Sequence, residues 1–398
     1  MNNLPARFLR ITASKNQLLR RLERLRTSKA ARHEEGHVLV QGIKTLQELA
    51  AKGHRVRTIG ITFDEHHLPI RASALDIAAS VQREDLVASQ QQDSDPDQGH
   101  GSLWAKEQQK PKFMADQYVA VSRKMTTRIL GTDSPTAEHE VWAEVAIPDY
   151  SYLFSVPSKS RSRPESGLED RSKASPPRSS SKELDTPTTQ KIRKLVVLDQ
   201  ISDPGNMGLM IRSAKALFWD AGWLTPGTVD PFNNKVVRAS RALCLDWPLK
   251  NEGRWEELER FLDANRFTLV VADMLPRWAV KQNDEHQWNP HNLVWWNWPS
   301  TIPRTHVPEN IALVMSSEHH GVRKQQGDTV DQDLEAKTRL LRDAIRVSIP
   351  MNPAVESMNV AAAATAMMWE LNRILDAPAD ARIERLQILD APSGSIDK

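Results

Sequence analysis

Asn206 and Arg212 stand six residues apart in the stretch DPGNMGLMIRSA. An Asn supplies a hydrogen-bond donor and acceptor, and an Arg supplies a permanent planar cation. An ordinary strand–turn–helix unit asks for neither there. Three later stretches share this style, with apolar runs leading into unusual polar loops: VVRASRA at 236–242, SSEHHGV at 316–322, and IPMNPAVESMN at 349–359. One apparent metal motif lies elsewhere, since His33-Glu34-Glu35-Gly36-His37 matches H-E-x-x-H. That chemistry needs both histidines on one face of a stable helix. Gly36 interrupts the motif, and a basic segment and an expected strand flank it, so we read it as a polar turn that holds no metal. Neither a Gly-rich dinucleotide turn nor a P-loop occurs, and no Ser sits in a nucleophile elbow.

The elements that carry these residues follow from apolar periodicity. Leu195–Leu198 is a short apolar, β-branched run, which predicts a buried strand. Asp203-Pro204-Gly205-Asn206 is a turn cluster, and Met207, Met210, Ile211, Ala214 and Leu217 recur with the spacing of a helix buried on one face. Further strands are expected at Thr268–Ala272, Ile311–Met315 and Arg346–Ile349. Helices are expected at Arg254–Ala264 and over an Ala-rich run from Val355 to Leu375. Strands alternating with helices argue a mostly parallel α/β sheet, whose ligands collect at the carboxyl ends of the strands. The Trp-dense segment QWNPHNLVWWNW at 287–298 has few basic neighbours and reads as a surface loop packing its own aromatics.

Upstream, a helix is expected at Asn16–Leu25, strands at Val38–Val40 and Val56–Phe63, and a helix between them from Ile43 to Leu49. Tyr118–Val121 and Glu140–Ile147 add strands, with a helical stretch through Ile129 between them. Gln90–Lys112 is polar and punctuated by Gly and Pro, as a disordered insertion would be. Residues 157–190 are rich in Ser, Pro, Arg and Lys and hold too few large apolar residues to bury a core, so they read as a linker.

The chain has 398 residues, enough for two domains, with 39% hydrophobic residues and a net charge of +2. No apolar run is long enough for a membrane span. The single cysteine, Cys244, excludes an internal disulfide and a Cys-based zinc cluster. Residues 1–30 hold eight basic residues and one acid, Glu23. Two readings stay open there: a mitochondrial targeting segment over residues 1–10, or a basic helix that contacts phosphates.

Taken together, DPGNMGLMIRSA, VVRASRA, SSEHHGV and IPMNPAVESMNVAAAA resemble, in order, the motifs of the SpoU (TrmH-like) branch of the SPOUT RNA methyltransferases. The resemblance is strong over about 195–375. ITASKNQLLRRLERL and VLVQGIKTLQEL are similar, more loosely, to the L30e-like substrate-binding domain of many members. The implied organisation is an L30e-like domain over 11–156, the linker, a trefoil-knotted α/β methyltransferase domain over 191–378, and a tail over 379–398. The implied activity is 2′-O-methylation of ribose in structured RNA with S-adenosylmethionine, by a homodimer. Ribosomal RNA in mitochondria is the expected setting; tRNA as substrate, or a nuclear or cytoplasmic setting, stays open. Matching positions imply cofactor contacts from Met315, Ser316, Ser317, Gly321, Ile349, Met351 and Met358. They place Asn206, Arg212, Glu318, Ser357 and Asn359 around the reacting ribose and the knot. Ser316, His319 and Pro353 stand where the family usually has Gly, a residue that permits close backbone approach. A catalytically silent RNA-binding scaffold of the same fold is therefore the second reading. Lys215 and Arg241 add cations suited to an RNA backbone.

Overall fold

The computed structural model describes residues 8–63, 114–131, 141–156, 191–276, 292–303, 308–316, 331–352, 354–377 and 387–389. The N-terminal region runs β1 (Phe8–Ile11), α1 (Gln17–Thr27), α2 (Lys29–Glu35), β2 (His37–Gln41), α3 (Ile43–Ala51), β3 (Val56–Phe63), β4 (Gln117–Ser122), α4 (Arg123–Leu130) and β5 (Val141–Ala146). Its five strands order as β1-β4-β3-β5-β2, with β1, β4 and β3 parallel and β5 antiparallel to both β3 and β2. Asn16 caps α1, its side chain accepting from Leu18 N–H, and Leu19, Leu22 and Leu25 then bury one helical face. Phe8–Ile11 is a paired strand, so part of the expected targeting segment belongs to the folded sheet. Gly36, at φ 64°, ends α2 in the left-handed region before β2 begins at His37. His33 and His37 therefore share no helix face, and the H-E-x-x-H stretch is a helix end, a turn and a strand start.

The C-terminal region runs β6 (Lys194–Asp199), α5 (Pro204–Ala216), β7 (Ala221–Leu224), α6 (Asn234–Ala239), β8 (Leu249–Lys250), α7 (Trp255–Ala264), β9 (Thr268–Ala272), β10 (Val294–Trp296), β11 (Ile311–Ser316), α8 (Gln332–Asp343), β12 (Ile345–Ser348), α9 (Val360–Leu375) and β13 (Gln387–Ile388). The eight strands order as β13-β10-β12-β9-β11-β6-β7-β8 and are parallel except at the β10–β12 pair. The central strands are buried on both faces, as a helix-covered parallel sheet requires. One face packs against α5 and α9 through Met207, Ile211, Met368 and Leu371, and the other against α7 and α8 through Leu258, Phe261 and Leu341. Gly208 lets α5 lie on α6, because a Cβ there would stand 2.4 Å from the Ala239 Cβ and 3.0 Å from the Val236 carbonyl oxygen.

Two expectations are corrected. The Trp-dense segment is not a surface loop: Leu293–Trp296 is buried, and Val294–Trp296 is a strand that extends the sheet beyond β12. Trp295 and Trp296 fill that edge of the core. The Ala-rich helix starts at Val360 rather than Val355, since Asn359 caps it and residues 354–359 form no helix. Within the expected tail, Gln387–Ile388 pairs with β10. The expected disordered insertion at 90–112 and linker at 157–190 lie outside the described residues.

The two regions share an apolar cluster that includes Val38 and Val40 on one side and Val236 and Val237 on the other, and polar contacts surround α6. Arg32 Nε donates to Asp230 Oδ2 at 2.9 Å, and both residues are buried. Asn234 Nδ2 donates to the Leu130 carbonyl, Tyr150 Oη to the Leu245 carbonyl, and Lys52 pairs with Asp246. Among the described residues, no helix is long and apolar enough to cross a membrane.

Candidate active site

The site is built where β6, β9, β11 and β12 end and the first turns of α5 and α9 begin. Asp203 ends the β6–α5 turn as an N-cap, its Oδ1 accepting from Asn206 N–H at 2.6 Å, and Pro204 at the first helical position needs no donor partner. This puts the Asn206 side chain at the rim of α5. Asn359 caps α9 in the same way, its Oδ1 accepting from Ala361 and Ala362 N–H. The Asn359 amide then donates to Asn206 Oδ1 at 3.0 Å, so the two helix starts are joined side by side. Below them Thr365 Oγ1 donates to Ser213 Oγ at 2.8 Å, and Asn372 donates to the Leu217 carbonyl at 2.7 Å. Both positive helix ends face one rim, which favours phosphate or a developing oxyanion there.

Arg212 lies on α5, exposed, with no hydrogen-bond or ion-pair partner among the described residues. A cation left in solvent on this helix is available to a ligand. Lys215 is otherwise engaged, donating to the Asp246 carbonyl at 2.9 Å, and Arg241 stands 3.6 Å from Glu48.

Beside this rim lies a cavity of about 530 Å³. Met315, Ser316, Ile349, Met351, Ser357 and Met358, six of the positions singled out in the sequence, all line it. Asn359 falls between the lining residues Met358 and Val360 and presents its amide to Asn206. Ser317, Glu318 and Gly321, together with the replaced glycine positions His319 and Pro353, lie outside the described residues. The structure adds lining that sequence reasoning missed. Ala272, Asp273 and Met274 come from the end of β9, and Val360, Ala363 and Met367 form the inner stripe of α9. The rule that ligands gather at the carboxyl ends of parallel strands pointed to the β9 end, and the i, i+3, i+7 spacing pointed to the stripe. Asp273 is held by an ion pair to Arg346, and its backbone N–H donates to the Val347 carbonyl at 3.0 Å.

The volume falls in the range of small-molecule sites, about 300–1,000 Å³. The lining suits an amphipathic ligand. Methionine, alanine and valine side chains offer an adaptable apolar wall for a flat ring, while Ser316, Ser357 and Glu356 offer polar groups for hydroxyls and an ammonium. Among the described residues, no cluster of three His, Cys, Asp or Glu side chains is arranged to hold a metal ion.

Residues 193–369 match the SpoU rRNA methylase family. The chain is 29% identical over 181 residues to the 23S rRNA (guanosine(2553)-2′-O)-methyltransferase RlmP of Bacillus subtilis, covering 45% of this chain and 58% of that protein. It is 25% identical over 215 residues to the mitochondrial rRNA methyltransferase 3 of Mus musculus, covering 48% of this chain and 49% of that protein. The chain thus spans about half the length of the curated relatives it matches. In fold it is similar to the AdoMet-bound rRNA methyltransferase of Sinorhizobium meliloti, with a TM-score of 0.54 at 17% identity over 93% of this chain and 99% of that one. It is also similar to the SpoU methyltransferase AviRb of Streptomyces viridochromogenes, with a TM-score of 0.52 at 20% identity over 92% of this chain and 100% of that one.

Proposed function

We propose that the chain is an S-adenosylmethionine-dependent methyltransferase acting on a ribose 2′-hydroxyl of structured RNA, with ribosomal RNA as the preferred class. The observation that carries this reading is the cavity itself: residues from separate motifs line one volume, and Asn359, which lies between the lining residues Met358 and Val360, bonds to Asn206. The bound cofactor supplies an electrophilic methyl group on a sulfonium. Met315, Ile349, Met351 and Met358 would hold its apolar part, with Ser316 and Ser357 on its polar groups. Ribose O2′ would accept that methyl group, and its proton would pass to a neighbouring phosphate oxygen or to water, with the chain's own residues holding the reacting atoms in place. Arg212 is permanently protonated. It therefore binds the neighbouring phosphate or the developing alkoxide rather than acting as a simple base. Asn206 and Asn359 orient the ribose at the rim, and alignment of the reacting atoms supplies much of the acceleration. Glu318 would order Arg212 or the loop that carries Glu318.

The finer architecture follows the same reading. The five-stranded region serves as an L30e-like RNA-binding domain, with the basic α1 and Arg123 and Lys124 as phosphate contacts. The order β12-β9-β11 supports a trefoil knot, because the chain leaves β9, passes to one side of it at β11 and returns to the other at β12. A homodimer is supported by apolar side chains exposed on α5 and α9 and just beyond α5: Leu209, Phe218 and Trp369. Relatives named mitochondrial support that compartment. Transfer of labelled methyl from S-adenosylmethionine to ribosomal RNA, lost in Arg212→Ala, is the expected result. RNA binding without any methyl transfer would favour the silent scaffold, and methylation of tRNA alone would move the substrate class.

A further inference from the structure

Asp199 closes β6 and is buried, at 2% exposure. A buried carboxylate persists only when its oxygens are satisfied. Its Oδ1 accepts from Thr225 Oγ1 at 2.8 Å, just after β7. Its Oδ2 accepts from Lys337 Nζ at 2.8 Å and from Ser316 Oγ at 3.3 Å. Asp199 and Ser316 are register partners at the ends of β6 and β11. Lys337 reaches in from α8, only 12% exposed, with its ammonium 5.3 Å from the centre of the Trp255 ring. One carboxylate thus ties together the ends of β6 and β11, the segment after β7, and α8.

Asp199 does not line the cavity, but Ser316 and its neighbour Met315 do. Ser316 and Lys337 also lie on either side of the stretch 317–330, before and after it in the chain. Buried ion pairs contribute little to net stability compared with apolar replacements, whereas their geometry is strict. A charge pair at this spot is therefore better explained by placement than by stability.

We propose that Asp199, charged and locked by Lys337, is a positioning residue that fixes Ser316 in the wall of the cofactor cavity. The inference rests on the proposed methyltransferase reading. Asp199 acts through Ser316 and sets how tightly S-adenosylmethionine is held, with little direct bearing on RNA affinity.

The test is calorimetric titration of S-adenosylmethionine into the full chain and its variants, with thermal unfolding of each. Ser316→Ala should weaken binding about threefold with Tm unchanged, and Lys337→Met about tenfold. Lys337→Arg should restore much of the loss, because it keeps the charge. The double variant Lys337→Met with Ser316→Ala should bind no more weakly than Lys337→Met alone, since both act through one carboxylate. In steady state, KM for S-adenosylmethionine should rise while KM for RNA stays within about twofold of wild type. Wild-type affinity in Ser316→Ala and in a folded Lys337→Met overturns the proposal, as does simple multiplication of the two effects. If Lys337→Met fails to fold, Ser316→Ala and Lys337→Arg decide alone. Wild-type protein that binds no S-adenosylmethionine overturns the methyltransferase reading instead, which is a distinct outcome.

Discussion

Replacing Arg32 with Met should loosen the N-terminal region from the C-terminal one. Arg32 is 3% exposed and Asp230 7%. The guanidinium donates to Asp230 Oδ2 through Nε at 2.9 Å, and through Nη1 to the Leu25 carbonyl at 2.7 Å and the Arg26 carbonyl at 3.1 Å. It joins α2 to the loop before α6 across 198 residues of sequence. In Arg32→Met, Asp230 keeps its buried charge with only the Phe232 N–H as a remaining hydrogen-bond donor among the described residues. Uncompensating one member of such a pair costs about 3–5 kcal/mol. The remaining ion pairs between the regions offset little of that loss. Lys52–Asp246 and Lys29–Glu252 are solvent-facing pairs, and such pairs contribute about 0–1 kcal/mol each. Asp230→Asn should cost a similar amount, and the double variant much less than the sum, giving a coupling of about 2 kcal/mol or more. Guanidinium denaturation of the four proteins measures the cycle, and hydrogen exchange at α2 and α6 locates the opening. Single variants that each cost under about 1 kcal/mol and simply add would refute the docking role assigned to this pair.

Other consequences are nearer the site. Asn359→Ala removes the cap of α9 and the donor to Asn206; it should cost about 1 kcal/mol in urea denaturation, and misplacing the rim should lower methyl transfer on the order of a hundredfold. Gly208→Ala should push α5 off α6, because its Cβ meets Ala239 and backbone; a net cost of about 1–3 kcal/mol in the same assay is expected. Glu144 gives a pH dependence. Burial pushes its carboxyl up, but hydrogen bonds from Arg21 and Thr58 and the charges of Arg21 and Arg57 outweigh that and hold it below its ordinary value of 4.5. A depressed carboxylate stabilises the fold above its unfolded value, and this contribution is lost as pH falls below about 4.5. Glu144→Gln should be less stable at neutral pH and should flatten that acid limb in unfolding curves recorded from pH 7 to 3.

Much of the site was legible because its residues sit in short, ordered motifs on strongly periodic elements. The β6–α5 unit, β11 and the body of α9 follow from apolar spacing alone, and the motif loops between them contain most of the cavity lining. What escaped depends on contacts distant in sequence. The Arg32–Asp230 pair and the Asp199–Lys337 pair join residues whose local patterns give no sign of each other. β10 was missed because four tryptophans in a polar stretch imitate a loop until β12 and β13 pair with Val294 and Trp295. The start of α9 was placed early because Val355 is apolar, whereas the deciding feature is the Asn359 side chain capping the next turn.

The central claim is that the cavity bordered by Met315, Ile349 and Met358 holds S-adenosylmethionine for transfer to RNA. The most direct measurement is an experimental structure of the full chain with the cofactor added. Density for S-adenosylmethionine is expected in that cavity, with its methyl group directed towards the Asn206–Asn359 rim and Arg212. Cofactor density elsewhere, or an empty cavity at saturating cofactor, would contradict it.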